Sequence, residues 1–262
     1  MGQYLIYIPL LLVALFLFFF IGSDFKLTRT VKYLKPLTVN INNVLTKKFS
    51  YYSLLTSTEK ERFIFRVKKF IVNKNWESRG TLIITDEMKV LIAATAIQLT
   101  FGLPPIILKY FSKIIIYPTK YYSPITKTNN IGEVNQRGII VLSWDHFLKG
   151  IDRPHDGLNV GLHEMSHALK LENVINNGEY GFLPTFLLGQ LHRQGIIEMK
   201  KIRQGQNTFI RKYAATNQEE FFAVCVEFFF EKPKTLQLEA PHLYRLLSQL
   251  LKQDPVKRLR KK

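Results

Sequence analysis

The sequence predicts an α+β fold, rich in helix with a small β-sheet and preceded by one N-terminal transmembrane helix. Three observations point there: capped runs of helical periodicity, two short β-rich runs between them, and an uncharged apolar segment near the start of the chain.

The apolar segment, Tyr4 to Gly22, is 19 residues long and carries no charge. At 1.5 Å per residue it can just cross a hydrocarbon core of ~30 Å. It lacks the basic n-region and small-x-small cleavage site of a signal peptide, so it reads as a retained anchor. Met1–Tyr7 has no Lys or Arg, whereas Lys26, Arg29, Lys32 and Lys35 follow the segment. The positive-inside rule then places a single-pass protein with its large domain in the cytoplasm. The expected division is an anchor over 1–22, a tether over 23–50 and a folded domain over 51–262.

Within that domain, Thr58-Glu-Lys-Glu61 offers a capping box before the helical stripe Arg62–Val72. Thr85-Asp-Glu-Met88 opens a second helix, Lys89–Leu99, almost wholly apolar and therefore buried, and ended by Gly102 and Pro104. Lys113–Tyr117 and Gly138–Ser143 are β-rich and read as adjacent strands joined by a polar loop. Such strands either line a cleft, where they can hold a peptide by strand addition, or form core sheet.

The net charge is +17, with basic clusters after the apolar segment, at 62–74, at 200–212 and at the C-terminus. A basic surface of this kind suits an anionic membrane leaflet, at ~1 kcal/mol per basic residue near it, or is simply a solvated face. No zinc-finger spacing or RNA-binding signature accompanies the charge, so a nucleic-acid partner is not expected. The single cysteine, Cys225, excludes an internal disulfide framework; among Phe222, Val224, Val226 and Phe228 it reads as core filler.

The chemistry is concentrated in Gly161-Leu-His-Glu-Met-Ser-His-Ala-Leu-Lys170. His163 and His167 are four apart, so on a helix they lie ~40° apart around the axis and ~6 Å along it. Two imidazoles so placed can reach one Zn²⁺, and Glu164 stands beside them, as in the HExxH pattern of zinc hydrolases. Asn159 is a plausible N-cap, and Leu162, Met165, Ala168 and Leu169 offer an apolar face. Catalytic zinc takes a third protein ligand. His146, His155, His192 and His242 are lone histidines outside metal spacing. Glu220 is a better candidate: Thr216 or Asn217 caps an apolar helix that stops at Pro233, and Glu220 and Glu227 are two turns apart on one face. The other reading of Glu220 is as the N3 partner of an Asn217 cap.

Ile114-Ile-Ile-Tyr-Pro118, Val141-Leu-Ser-Trp144, Asn159 to His167, and Tyr213-Ala-Ala-Thr-Asn-Gln-Glu-Glu-Phe-Phe-Ala-Val224 together resemble the zinc-dependent peptidase family of the Mlc titration factor, a gluzincin-type group. The resemblance spans roughly Tyr51 to Pro255. It implies a helix-rich, zincin-like metallopeptidase domain with a small sheet over the metal cleft. It further implies one Zn²⁺ held by His163, His167 and Glu220, with Glu164 as general base and Tyr213 as a helper at the active site. His167-Ala-Leu-Lys170 departs from the aspartate that commonly follows the motif in that family, so no role of that aspartate carries over. The family's founding member also binds a transcriptional repressor.

The expected function is therefore a membrane-anchored zinc peptidase acting on a peptide or protein substrate, with Glu164 activating water at the metal. The alternative is a regulatory binding protein that sequesters a cytoplasmic protein partner at the membrane.

Overall fold

Capped helical periodicity organises the first half of the chain. The computed structural model describes residues 37–175, 181–206 and 209–260. Helix α1 (Ile41–Lys48) starts where the Asn40 side chain accepts the Asn43 N–H, and buries Ile41, Val44 and Leu45. The short α2 (Ser50–Ser53) buries Tyr51 and Tyr52. Both lie in a compact unit that begins at Val39.

Helix α3 (Ser57–Val72) has its capping box two residues earlier than expected. Thr56 accepts from Glu59 N, and the Glu59 carboxylate accepts from Thr56 N. Thr56-Ser-Thr-Glu59 and Thr58-Glu-Lys-Glu61 both satisfy the pattern. A tertiary partner distinguishes them: Arg258 Nη1 lies 3.0 Å from both Glu59 carboxylate oxygens.

Strand β1 (Asn75–Ser78) follows, and then α4 (Asp86–Thr100), capped by Thr85 and buried at every position from Val90 to Thr100. Strands β2 (Lys113–Tyr117), β3 (Tyr121–Ser123), β4 (Thr128–Asn130), β5 (Gly132–Asn135) and β6 (Ile139–Ser143) come next. The sheet order is β1-β2-β6-β5, and β3 and β4 form a separate hairpin. The two β-rich runs, β2 and β6, are neighbours, but they pair in parallel, register Lys113 with Ile139. A parallel pair needs a crossover, and here the β3–β4 hairpin and β5 occupy the connection that was expected to be a loop. Strand β5 returns antiparallel to β6 and forms the sheet edge. Strand β1, Asn-Trp-Glu-Ser, has no β-rich pattern and pairs only because β2 presents it a free edge.

Helix α5 (Trp144–Asp152) leads into the motif helix α6 (Val160–Ile175), which contacts α4, α5, β5 and β6. Helix α7 (Thr185–Arg203), a 3₁₀ turn (Lys212–Ala215) and α8 (Gln218–Glu231) follow. Helices α9 (Pro233–Glu239), α10 (Pro241–Leu251) and α11 (Pro255–Leu259) each start with proline in the first turn, where its missing N–H is no loss. Cys225 is buried in α8, as expected of core filler.

The expected single-pass membrane localisation is corrected. Among the described residues no helix is long and apolar enough to cross a membrane. The almost wholly buried α4 has 15 residues, about 22 Å of rise against a ~30 Å core. The 19-residue α7 carries Arg193, Glu198, Lys200, Lys201 and Arg203. The anchor expected over residues 4–22 lies outside the described residues.

Candidate metal centre

The site is assembled from α6, α8, the 3₁₀ turn and strand β5. Asn159 caps α6 as the sequence suggested, its side-chain oxygen accepting the Leu162 N–H at 2.9 Å. With α6 so started, its apolar residues Leu162, Met165, Ala168 and Leu169 are buried. His163 and His167 then share the face turned toward α8. Their rings meet edge-on, 4.7 Å between centroids, with the two Nε2 atoms 3.1 Å apart.

Asn217 caps α8, accepting from the N–H groups of Glu219 and Glu220. The Glu220 side chain does not reach back to that cap. It turns instead to the histidines, with Oε2 3.0 Å from His163 Nε2 and Oε1 3.6 Å from His167 Nε2. Ligand-type atoms of His163, His167 and Glu220 all lie within 4.8 Å of one another, and among the described residues this is the cluster of metal-binding size. His146 stands apart from it, its Nδ1 2.6 Å from Asp145 at the start of α5. His192 and His242 are exposed on α7 and α10, and His155 faces the Glu231 carbonyl.

These residues fit a metal ion on their donor chemistry. Glu227, two turns beyond Glu220 on α8, accepts His163 Nδ1 at 2.8 Å. A carboxylate only accepts, so the imidazole proton belongs on Nδ1 and Nε2 presents a lone pair. Glu220 Oε2 is buried and has no hydrogen-bond partner, although His163 Nε2 is close. His163 Nε2 and the Glu220 carboxylate thus present lone pairs toward one point, with His167 Nε2 beside them, and a cation among them would satisfy all three. The field there is strongly negative: burial would lower the His163 pKa, but the Glu220 and Glu227 carboxylates outweigh it and hold it up to about 10. For Glu220 burial would raise the pKa, and His163 and His167 hold it far below the usual carboxylate range. A proton on Nε2 would answer the same demand for positive charge, yet the Glu220 oxygen nearest it is not aligned to accept one. A divalent cation needs no such alignment.

Glu164, next to His163 on α6, packs against the sheet edge at β5. It is 6% exposed, and burial pushes its carboxyl up to about 7, with the imidazoles opposing and Glu220 and Glu227 adding to the rise. Gly132, at the start of β5, makes room for it: a Cβ there would lie 2.3 Å from Glu164 Oε1. Tyr213 sits on the 3₁₀ turn, 53% exposed, its ring centroid 6.0 Å from that of His163. Its phenol is pushed up to about 12, by burial and then by the adjacent Glu220 carboxylate. The structure thus brings together all five residues singled out from the sequence: His163, Glu164, His167, Tyr213 and Glu220.

A family model described as glucose-regulated metallo-peptidase M90 matches residues 25–252. The chain belongs to that family. The chain is also similar to the Mlc titration factor A of Salmonella arizonae, 28% identical over 228 residues, and to that of Serratia proteamaculans, 26% identical over 234. The first alignment covers 79% of this chain and 88% of the relative, the second 80% and 86%. An uncharacterized protein of Synechocystis is 26% identical over 242 residues, 85% of this chain and 86% of its own length.

Sequence reasoning missed three parts of the centre. Glu227 was placed on the Glu220 face without a role; an acid inside the apolar run Ala-Val-Cys-Val-Glu-Phe-Phe was the available signal. Arg211 and Gly132 carry no local signal, because each matters only through a contact distant in sequence.

Proposed function

We propose that this chain is a zinc-dependent peptidase in which His163, His167 and Glu220 hold the metal. The observation that supports this best is the convergence of two imidazole nitrogens on the Glu220 carboxylate, one oxygen of which is buried and lacks a hydrogen-bond partner. Zinc held there supplies Lewis acidity toward a peptide carbonyl and makes a water easier to deprotonate.

The chain's own residues do the rest. Glu164 takes the proton from the attacking water and returns one to the departing amine. Burial raises its carboxyl pKa, which favours the return of a proton, while a cation at the three ligands would favour the carboxylate that takes one. The Tyr213 phenol, held neutral by its raised pKa, donates a hydrogen bond to the oxygen that gains charge, worth about 3 kcal/mol by analogy with other oxyanion donors. Glu227 keeps His163 in the tautomer that leaves Nε2 free. The test is purified protein, its metal content measured, digesting an unbiased peptide library beside Glu164→Gln. The variant should keep zinc and lose turnover; cleavage at the wild-type rate by Glu164→Gln removes this mechanism.

The relatives named Mlc titration factor A support a second reading, in which the chain binds a regulatory protein and peptide cleavage is incidental. Under that reading the biological effect survives Glu164→Gln, whereas under the peptidase reading it is lost with turnover.

A further inference from the structure

The turn that carries Tyr213 has little to hold it in place by itself. It is a single 3₁₀ turn, Lys212–Ala215, with hydrogen bonds from Ala214 N to Arg211 O and from Thr216 N to Tyr213 O. A piece this short has poor intrinsic stability, and Tyr213 is half exposed, so packing of its own ring does not fix it. Two arginines supply what the turn lacks. From α7, Arg203 donates through Nε and Nη2 to the Ala215 carbonyl, at 3.0 and 2.6 Å. At the other end, Arg211 Nη2 donates to Glu227 Oε1 at 2.6 Å.

The Glu227 oxygen that takes Arg211 is the one that faces His163 Nδ1 at 2.8 Å. Its second oxygen accepts the Asn159 N–H at 2.6 Å, at the start of the motif helix. Glu227 is 2% exposed and cannot drift. One buried carboxylate therefore ties together a histidine of the metal cluster, the cap of its helix and the turn bearing Tyr213. We propose that Arg211 is a positioning residue: through Glu227 it holds the Tyr213 turn in register with His163. Arg211 touches no reacting atom, and its guanidinium acts by being bound to the same oxygen as the ligand histidine. A charge-assisted bond of this kind is both short and directional.

This inference rests on the role proposed above for Tyr213, and its test separates the two. Arg211→Met keeps the aliphatic stem of a partly exposed side chain and removes the fork; Arg211→Lys keeps the cation without the fork. The first measurement is amide hydrogen exchange in the metal-free and zinc-loaded full chain. Arg211→Met should speed exchange over residues 211–216 at least tenfold and leave the interior of α8 unchanged. Arg211→Lys should recover part of that protection. The second measurement is steady-state cleavage. Arg211→Met should lower kcat by up to ~100-fold, the scale of losing an oxyanion donor, with KM and zinc affinity within about threefold of wild type. Added to Tyr213→Phe, it should cost almost nothing more, because residues that act as a unit are not additive.

Unchanged exchange over 211–216 in Arg211→Met overturns the positioning role, whether or not the protein cleaves peptides. Altered exchange with independent, multiplicative losses in the double variant overturns the link to Tyr213. If wild-type protein binds no zinc and cleaves nothing, the peptidase reading fails, and the exchange measurement alone decides whether Arg211 fixes the turn.

Discussion

Gly132→Ala is the sharpest probe of where Glu164 must sit. Gly132 opens the edge strand β5, and its φ lies outside the left-handed region, so alanine adds a methyl without backbone strain. That methyl would lie 2.3 Å from Glu164 Oε1, 2.6 Å from its Cγ and 2.7 Å from its Cδ. The whole carboxylate must retreat by about 1 Å to reach ordinary contact, and a misplacement of that size can cost ~100-fold in rate. Removing general-base assistance altogether costs ~10²–10⁴, so the variant should fall near the lower end of that range. The assay is kcat on a peptide substrate, with zinc content and thermal midpoint measured on the same sample. Zinc should be retained, since His163, His167 and Glu220 do not face the methyl. Wild-type kcat in a folded, zinc-loaded Gly132→Ala would refute the assignment of Glu164 as a base that works from this position.

Two further outcomes follow from local structure. Thr56→Ala should destabilise the fold by about 1 kcal/mol in urea denaturation, and Thr58→Ala by less than about 0.5, because Thr56 is the residue that caps α3; the reverse order would restore the Thr58 frame. Glu231 accepts from Gly157 N and Asn159 Nδ2, and burial raises its pKa from the usual 4.5 to about 7. The folded state therefore binds this proton more tightly than the unfolded chain, so the Glu231 contribution to stability falls as pH rises from about 4.5 through 7 and levels off above. Denaturation midpoints at pH 5 and pH 8 should show a smaller decline in Glu231→Gln than in wild type; an equal decline would mean that Glu231 does not titrate in this window.

Much of the candidate site was legible because its signals are local. The four-residue spacing of His163 and His167, the Asn159 and Asn217 caps and the apolar stripe of α8 all act within a turn or two of helix. The β-rich runs at 113–117 and 138–143 were legible for the same reason, since alternation and β-branching need no partner to be seen. Their parallel pairing was not, because the direction of a neighbour is set by the crossover between them. The α3 cap shows the limit plainly: two equivalent local frames existed, and Arg258, 199 residues away, sits on the one that forms. The third ligand was equally balanced, since Glu220 could serve its own helix end or the histidines until α6 and α8 were packed together.

From residue order alone came the helices α3, α4, α6 and α8, the two main strands, the pair of histidines with their glutamate, and a short choice of acids to join them. These are properties of backbone period and capping, which operate over a few residues. Tertiary packing decided that Glu220 faces His163 and His167, that Glu227 holds His163 from 64 positions away, and that Gly132 leaves room for Glu164. The physical reason is that charge, desolvation and close contact depend on distance in space. Two buried faces must meet before a carboxylate on one can answer an imidazole on the other.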